Sequence, residues 1–179
     1  PRLILPESGL IISSRGYAAN MAHALLLAVD KPRESAGQIY NAREVALLTL
    51  RQWVLIICKV MNHEFEFVEM PYDLATPAIM YSGRGQPQHQ ILDISKAQRD
   101  LGYKDLFPVE KGIELTVNWY VENRPQPGGE VEQQLRDPFD YAVEDRLMDR
   151  FLGASKEIKG LAPSQLTFLH PYAHPKKPD

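Results

Sequence analysis

Apolar positions along residues 10–124 switch repeatedly between a period near two and a period near 3.6, the pattern of short strands alternating with helices. Ile11-Ile12-Ser13-Ser14 is a short β-compatible run that leads through Arg15-Gly16-Tyr17 into a helix over residues 18–29. Met21, Leu25, Ala28 and Val29 share one face of that helix, and Asp30-Lys31-Pro32 ends it. After a turn at Ala36-Gly37, Gln38-Ile39-Tyr40-Asn41 reads as a strand. Thr49 with Gln52 three residues later has the form of a capping box, in which each side chain satisfies a backbone N–H of the other residue. The helix behind it carries Trp53, Ile56, Ile57, Val60 and Met61 in one apolar stripe, with Cys58 at the stripe's edge as a small buried hydrophobe. Phe65-Glu66-Phe67-Val68-Glu69 alternates like a half-buried strand and stops at Pro71.

Ile91-Leu92-Asp93-Ile94 is a further strand candidate, and Ser95 with Gln98 repeats the capping-box form before a helix that ends at Leu101-Gly102. Pro108 stands where a first helical residue should, and Val109, Ile113, Val117, Tyr120 and Val121 line a helix that runs to Asn123. Pro125-Gln126-Pro127-Gly128-Gly129 is a linker by composition. The chain therefore divides into a lobe over residues 1–124 and a second part, residues 125–179. In the second part, Asp137 before Pro138 predicts a helix over about 138–152, with Phe139, Val143, Leu147, Phe151 and Leu152 on its apolar face. Its charged face, with Asp140, Glu144, Asp145, Asp149 and Arg150, reads as solvated; Asp145 and Asp149 have helical spacing that could touch a metal or partner, but nothing else converges on them. Pro163, Pro171, Pro175 and Pro178 prevent regular structure in the tail.

Composition narrows the function classes. The 179 residues suffice for one domain, or one domain with an appendage, and the net charge of −3 contains no long run of either sign. Nucleic acid and anionic membrane surfaces are therefore not expected partners. The start, Pro1-Arg2-Leu3-Ile4-Leu5, lacks a signal-peptide layout, and its apolar run hints at natural sequence upstream. The single cysteine rules out an intrachain disulfide and fits a reducing, cytoplasmic setting.

Chemistry is marked first by what is missing. No stretch has the glycines that let backbone amides reach a dinucleotide pyrophosphate between a strand and a helix; Gly83-Arg84-Gly85 and Gly128-Gly129 do not meet that condition. Tyr172-Ala173-His174-Pro175-Lys176 imitates a Tyr-x-x-x-Lys dyad, but Pro171 and Pro175 deny it the helix that would bring phenol and ammonium onto one face. The same prolines separate His170 from His174, so no metal site is expected.

Four segments in order carry a resemblance. They are Arg15-Gly16-Tyr17 leading into Met21-Ala22-His23-Ala24; Ala36-Gly37-Gln38-Ile39-Tyr40-Asn41; Thr49-Leu50-Arg51 opening a helix; and Asp93-Ile94-Ser95-Lys96-Ala97 followed by Asp100-Leu101-Gly102-Tyr103 and residues 112–120. Over about residues 10–124 the chain resembles the NAD-dependent epimerase/dehydratase members of the extended short-chain dehydrogenase/reductase family. The resemblance implies an α/β fold: the C-terminal lobe of that architecture, several helices with short strands, lacking the N-terminal Rossmann half. It implies a lobe that holds the nucleotide part of a nucleotide-sugar-like substrate. NAD or NADP belongs to the parent protein, with none expected for this chain alone, and the catalytic tyrosine and lysine lie outside it. Arg15 resembles the family arginine of the Arg-x-Tyr segment, and Arg84 the arginine before the Asp-x-Ser-Lys-Ala segment. Both are of a type that contacts a substrate diphosphate through a planar fork of donors. Tyr17, Asn20, Gln88 and His89 are candidate lining residues of a modified pocket. It is modified because Tyr17-Ala18-Ala19-Asn20 lacks the usual acid and Gly85-Gln86 replaces the usual Gly-Asp.

Two readings follow: a substrate-recognition portion of an oxidoreductase-type enzyme, not catalytic alone, or a non-catalytic interaction module derived from the same lobe. Without a Rossmann half, the strand at 38–41 presents an edge that invites self-association.

Overall fold

The computed structural model describes residues 1–81, 87–135 and 140–161. Its sheet has two strands, β1 (Arg2–Pro6) and β2 (Glu66–Met70), paired in parallel with Arg2 opposite Glu66 and Pro6 opposite Met70. β2 is the strand the alternation at 65–69 predicts. β1 was legible only as the apolar run at the start of the chain. A parallel pair needs a long crossover, and residues 7–65 supply it with three helices: α1 (Ala18–Asp30), α2 (Pro32–Ser35) and α3 (Leu50–Met61). Then come α4 (Ser95–Leu101), α5 (Val109–Glu122), α6 (Glu130–Leu135) and α7 (Tyr141–Leu161).

The core has two centres. Ile4, Val68, Met70 and Ala75 pack with Met148 of α7, flanked by Leu147 and Phe151, so α7 covers one face of the sheet. Arg2 ties the same helix down, its Nη2 2.8 Å from Asp145 and its Nη1 2.5 Å from Asp149. The charged face read as solvated thus has its two spaced aspartates engaged by an arginine of the same chain. The helix starts at Tyr141 and runs to Leu161, longer than the predicted 138–152. Val143 and Leu152 lie outside its buried stripe, and the Asp137 start signal and Phe139 fall outside the described residues. The second centre joins Ala24, Ile94, Ala97 and Tyr103, with Met21, Leu27, Tyr40 and Ala42 around them.

The Thr49–Gln52 capping box is present in both halves, Gln52 N–H donating to Thr49 Oγ1 at 3.2 Å and Thr49 N–H to Gln52 Oε1 at 2.8 Å. The second predicted box is not formed. Asp93 takes that role instead, its carboxylate accepting from the Ser95 N–H at 2.9 Å and the Ser95 hydroxyl at 3.0 Å, which lowers the Asp93 pKa. Gly102 ends α4 at φ +70°, a left-handed position that only glycine adopts without strain. Cys58 is buried, and desolvation raises its pKa, as its place on the stripe predicts.

Two strand predictions fail. Residues 38–41 and 91–94 form no strand; nearby, only Gln90 forms a bridge, with Ser13. The β-compatible sequence is there, and among the described residues no neighbouring strand exists to pair with it. The face assigned to the first helix is right in part: Met21 and Ala28 are half-buried, with Met21 on the second core centre. Asn20 and Ala24 are buried, whereas Leu25 and Val29 are 71% and 72% exposed. The helix is apolar nearly all round, so periodicity alone could not choose its inner side.

Candidate functional site

The site grows from residues 11–14, which are held on both sides. Leu50 N–H donates to the Ile11 carbonyl at 2.9 Å, and Ile12 bridges Thr49. On the other side Ser14 N–H donates to the Gln90 carbonyl at 2.7 Å, and Leu92 N–H donates to the Ser14 hydroxyl at 2.8 Å. His89 joins this arrangement through Nδ1, which accepts the Ile12 N–H at 3.0 Å. The imidazole is exposed and has Nε2 left to carry its proton.

Arg15 leaves the end of this clamp. Its guanidinium lies over Trp53, 5.0 Å from the ring centroid, a cation–π contact. The capping box fixes the start of α3 and so places Trp53 one turn inside it, with Trp53 N–H on the Thr49 carbonyl. No carboxylate lies within ion-pairing distance of Arg15 among the described residues. Arg15 is an exposed residue, and partial desolvation by its neighbours lowers its pKa. A guanidinium of this kind stays charged and has donors to spare, which suits it to an oxyanion.

Tyr17 is the N-cap residue of α1; its ring stands edge-on to Phe107 with centroids 5.6 Å apart. Its backbone N–H donates to Glu44 Oε1 at 3.2 Å. Asn20 does not line a pocket. It is fully buried, its Nδ2 donating to the Phe107 carbonyl and its Oδ1 accepting the Leu106 and Phe107 N–H groups at 2.9 and 3.0 Å. The amide binds the chain's own backbone, where an unsatisfied polar group would be costly. Arg84 lies outside the described residues, as do the Tyr172–Lys176 decoy and His170 and His174. Gln88 is exposed and beside His89. The structure thus attaches Arg15, Tyr17 and His89 to one segment, residues 11–17, while Asn20, which shares Phe107 with Tyr17, is turned into the core.

Two contributors to the site carry no local signal in the sequence. Trp53 read as one apolar position of a stripe, and Glu44 carried no signal, since nothing in a lone glutamate announces burial. Glu44 is 2% exposed, and desolvation raises its pKa, with Asp105 and Glu110 adding to the rise.

Among the described residues no strand leads into a dinucleotide cradle. β1 runs into a short 3-10 turn, Glu7–Gly9, and β2 into Pro71, so neither parallel strand passes through a glycine-rich turn into an α-helix. No group of three or more His, Cys, Asp or Glu side chains is arranged to hold a metal among the described residues. No described helix is long and apolar enough to cross a membrane.

No family model matches the chain. Among curated proteins it is similar to the uncharacterized protein YbjS of Escherichia coli K12, 25% identical over 144 residues, covering 70% of this chain and 43% of that protein. It is also similar to protein y4nL of Sinorhizobium fredii, 26% identical over 137 residues, covering 65% and 38% respectively. The chain thus spans less than half the length of these relatives. Among solved structures it resembles the UDP-glucose 4-epimerase of Thermotoga maritima with UDP-glucose, with a TM-score of 0.54 and 21% identity, covering 69% of this chain and 36% of the enzyme. DesIV, a dTDP-glucose 4,6-dehydratase of Streptomyces venezuelae with NAD and TYD bound, gives a TM-score of 0.51 and 24% identity over 69% and 35%. At these identities the likeness concerns architecture. The chain therefore has the α/β fold of the C-terminal portion of extended short-chain dehydrogenase/reductase structures of the epimerase and dehydratase type.

Proposed function

We propose that this chain is the substrate-recognition portion of an NAD(P)-dependent, nucleotide-sugar epimerase/dehydratase-like protein, and that it has no catalysis alone. The observation that carries the reading is the Arg15 guanidinium, seated on Trp53 with no carboxylate partner among the described residues, in a chain of this fold. Its ligand is the diphosphate of a nucleotide-sugar-like molecule, with Tyr17 and His89 on the same segment and Arg84 as a second donor. The acid missing after Tyr17 and the Gly85-Gln86 step mark a pocket altered from the usual one.

The reading assigns the cofactor and the reacting residues to a separate Rossmann half. Two features support such a partner. Ala18, Ala22, Leu25, Leu26 and Val29 form an exposed apolar arc of about 100° on α1, from a rotation of about 100° per residue. A helix apolar on all sides belongs in an interior. Residues 39–43, among the described residues, make no backbone–backbone hydrogen bond, while Ile39 is 86% exposed. Unpaired strand-like backbone beside an apolar helix is what a removed sheet leaves behind. A cytoplasmic setting is part of the same proposal, consistent with a lone, buried cysteine.

The experiment is a titration of the 179-residue chain with UDP and, separately, with NADH and NADPH, together with a turnover assay on UDP-glucose. UDP binding without cofactor binding or turnover is expected. Tight cofactor binding or turnover contradicts the division of labour. The exposed α1 arc and Ile39 also favour a second reading, an interaction module. Its signature is self-association or partner capture with no UDP binding.

A further inference from the structure

We infer that Glu44 is a positioning residue that sets the aim of the Arg15 guanidinium. The inference rests on the reading of Arg15 as an oxyanion contact for its functional meaning, and on geometry for its substance. Glu44 grips the Arg15-Gly16-Tyr17 segment at both ends. Its backbone N–H donates to the Arg15 carbonyl at 2.9 Å, and its side-chain Oε1 accepts the Tyr17 N–H at 3.2 Å. A single residue thereby fixes the peptide on either side of Gly16 and the direction in which the Arg15 side chain leaves the backbone.

The grip is buried and backed. Glu44 is 2% exposed, and α5 presses on it through Gly112. A Cβ on residue 112 would stand 3.0 Å from Cβ and Cγ of Tyr17 and 3.4 Å from Glu44 Oε1. A methyl group there is tighter than ordinary contact, so Tyr17 and the Glu44 carboxylate must give by a few tenths of an ångström to admit it.

The charge of Glu44 is not spent on a cation. Arg43, next in the chain, donates instead to the carbonyls of Glu44, Val45 and Leu92. The carboxylate faces Asp105 and Glu110, and no ion pair involves it among the described residues. Burying an acid without a counter-charge is costly, and a neutral acceptor would hold the Tyr17 N–H as well. The role that remains for Glu44 is geometric. It anchors the segment while leaving Arg15 unneutralised, whereas an acid placed beside the guanidinium would have competed with an anionic ligand.

The test uses the 179-residue chain with Trp119→Phe, so that Trp53 is the sole tryptophan and its emission reports on the Arg15 stack without any ligand. Glu44→Gln keeps an acceptor and should retain the Trp53 emission, with UDP affinity within about twofold, less than the net worth of a typical hydrogen bond. Glu44→Ala and Gly112→Ala should both move the emission towards that of Arg15→Ala. Each should weaken UDP binding about tenfold, as for one misaligned charge-assisted contact. Unchanged Trp53 emission in a Glu44→Ala chain with native far-UV circular dichroism overturns the proposal, as does Glu44→Gln behaving like Glu44→Ala. If Glu44→Ala does not fold, Gly112→Ala decides: a shifted emission supports the proposal and an unshifted one overturns it. If Glu44→Ala moves the emission but Arg15→Ala leaves UDP binding intact, the positioning role stands and the reading of the site falls.

Discussion

Arg15 lies over Trp53 with its guanidinium carbon 5.0 Å from the indole centroid, and no acid joins the pair among the described residues. The cation–π contact neutralises no charge, so the guanidinium's N–H donors keep no carboxylate partner among the described residues. Trp53→Leu should keep the fold, since the position is half-buried, yet loosen the arginine. The expected result is a several-fold loss of UDP affinity, about 0.5–1 kcal/mol for a cation–π contact at a partly exposed site, measured by calorimetric titration.

Trp53 is placed by the capping box that starts α3. Thr49→Ala removes the acceptor for the Gln52 N–H and should lower unfolding free energy by about 1 kcal/mol, read from urea denaturation. Gln52→Ala, which removes the reciprocal contact to the Thr49 N–H, should move the same transition in the same direction.

How far these features were legible in the sequence depends on how local they are. The capping box at Thr49 and Gln52, the glycine stop at Gly102 and the alternation at 65–69 are set by neighbours in the chain, and each formed where the pattern put it. The strand expected at 38–41 depends on a neighbour absent from the described residues, so its sequence is β-compatible and its backbone stays unpaired. The inner face of α1 was not legible because apolar residues surround the helix; Asn20, polar and nominally a surface residue, is its most buried position. In the site, Arg15 came from a motif, while Trp53 and Glu44 reach it only through tertiary contact. Asn20 looked like a ligand because side-chain amides serve both ligands and backbone, and the choice is made by packing.

Burial of Glu44 has a pH signature. Its folded-state pKa is raised above the ordinary value near 4.5 by desolvation first, then by Asp105 and Glu110. The protonated form is thus favoured on folding. The stabilisation is fully present below the unfolded pKa and is lost as pH rises through the folded value. Melting temperature should therefore fall for the native chain relative to Glu44→Gln as pH rises from about 4.5 towards 7. Parallel profiles for the two chains would show that Glu44 does not titrate differently on folding.

Met148 seals the face of the β1–β2 sheet against α7. Met148→Ala should cost about 2–5 kcal/mol in urea denaturation, the range for truncating a buried long side chain. Asp145→Asn and Asp149→Asn should produce a much smaller, salt-dependent change, because both carboxylates are largely exposed.

The bare arc of α1 and the unpaired 39–43 segment should make the isolated chain self-associate at roughly 10 μM and above, where exposed edges commonly aggregate. Leu26→Lys together with Ile39→Lys should return it to monomer in sedimentation velocity, because a charge on an edge or apolar face opposes pairing. A well-behaved monomer of the native chain at those concentrations would contradict this expectation.

The most direct test of the central claim is calorimetric titration of UDP into the 179-residue chain and its Arg15→Ala variant at low and moderate salt. Measurable binding to the native chain is expected, weakened about 30-fold by the substitution, equivalent to ~2 kcal/mol for one charge-assisted contact, with the difference shrinking as salt rises. Equal affinity for the two chains, or no UDP binding to the native chain, would contradict it.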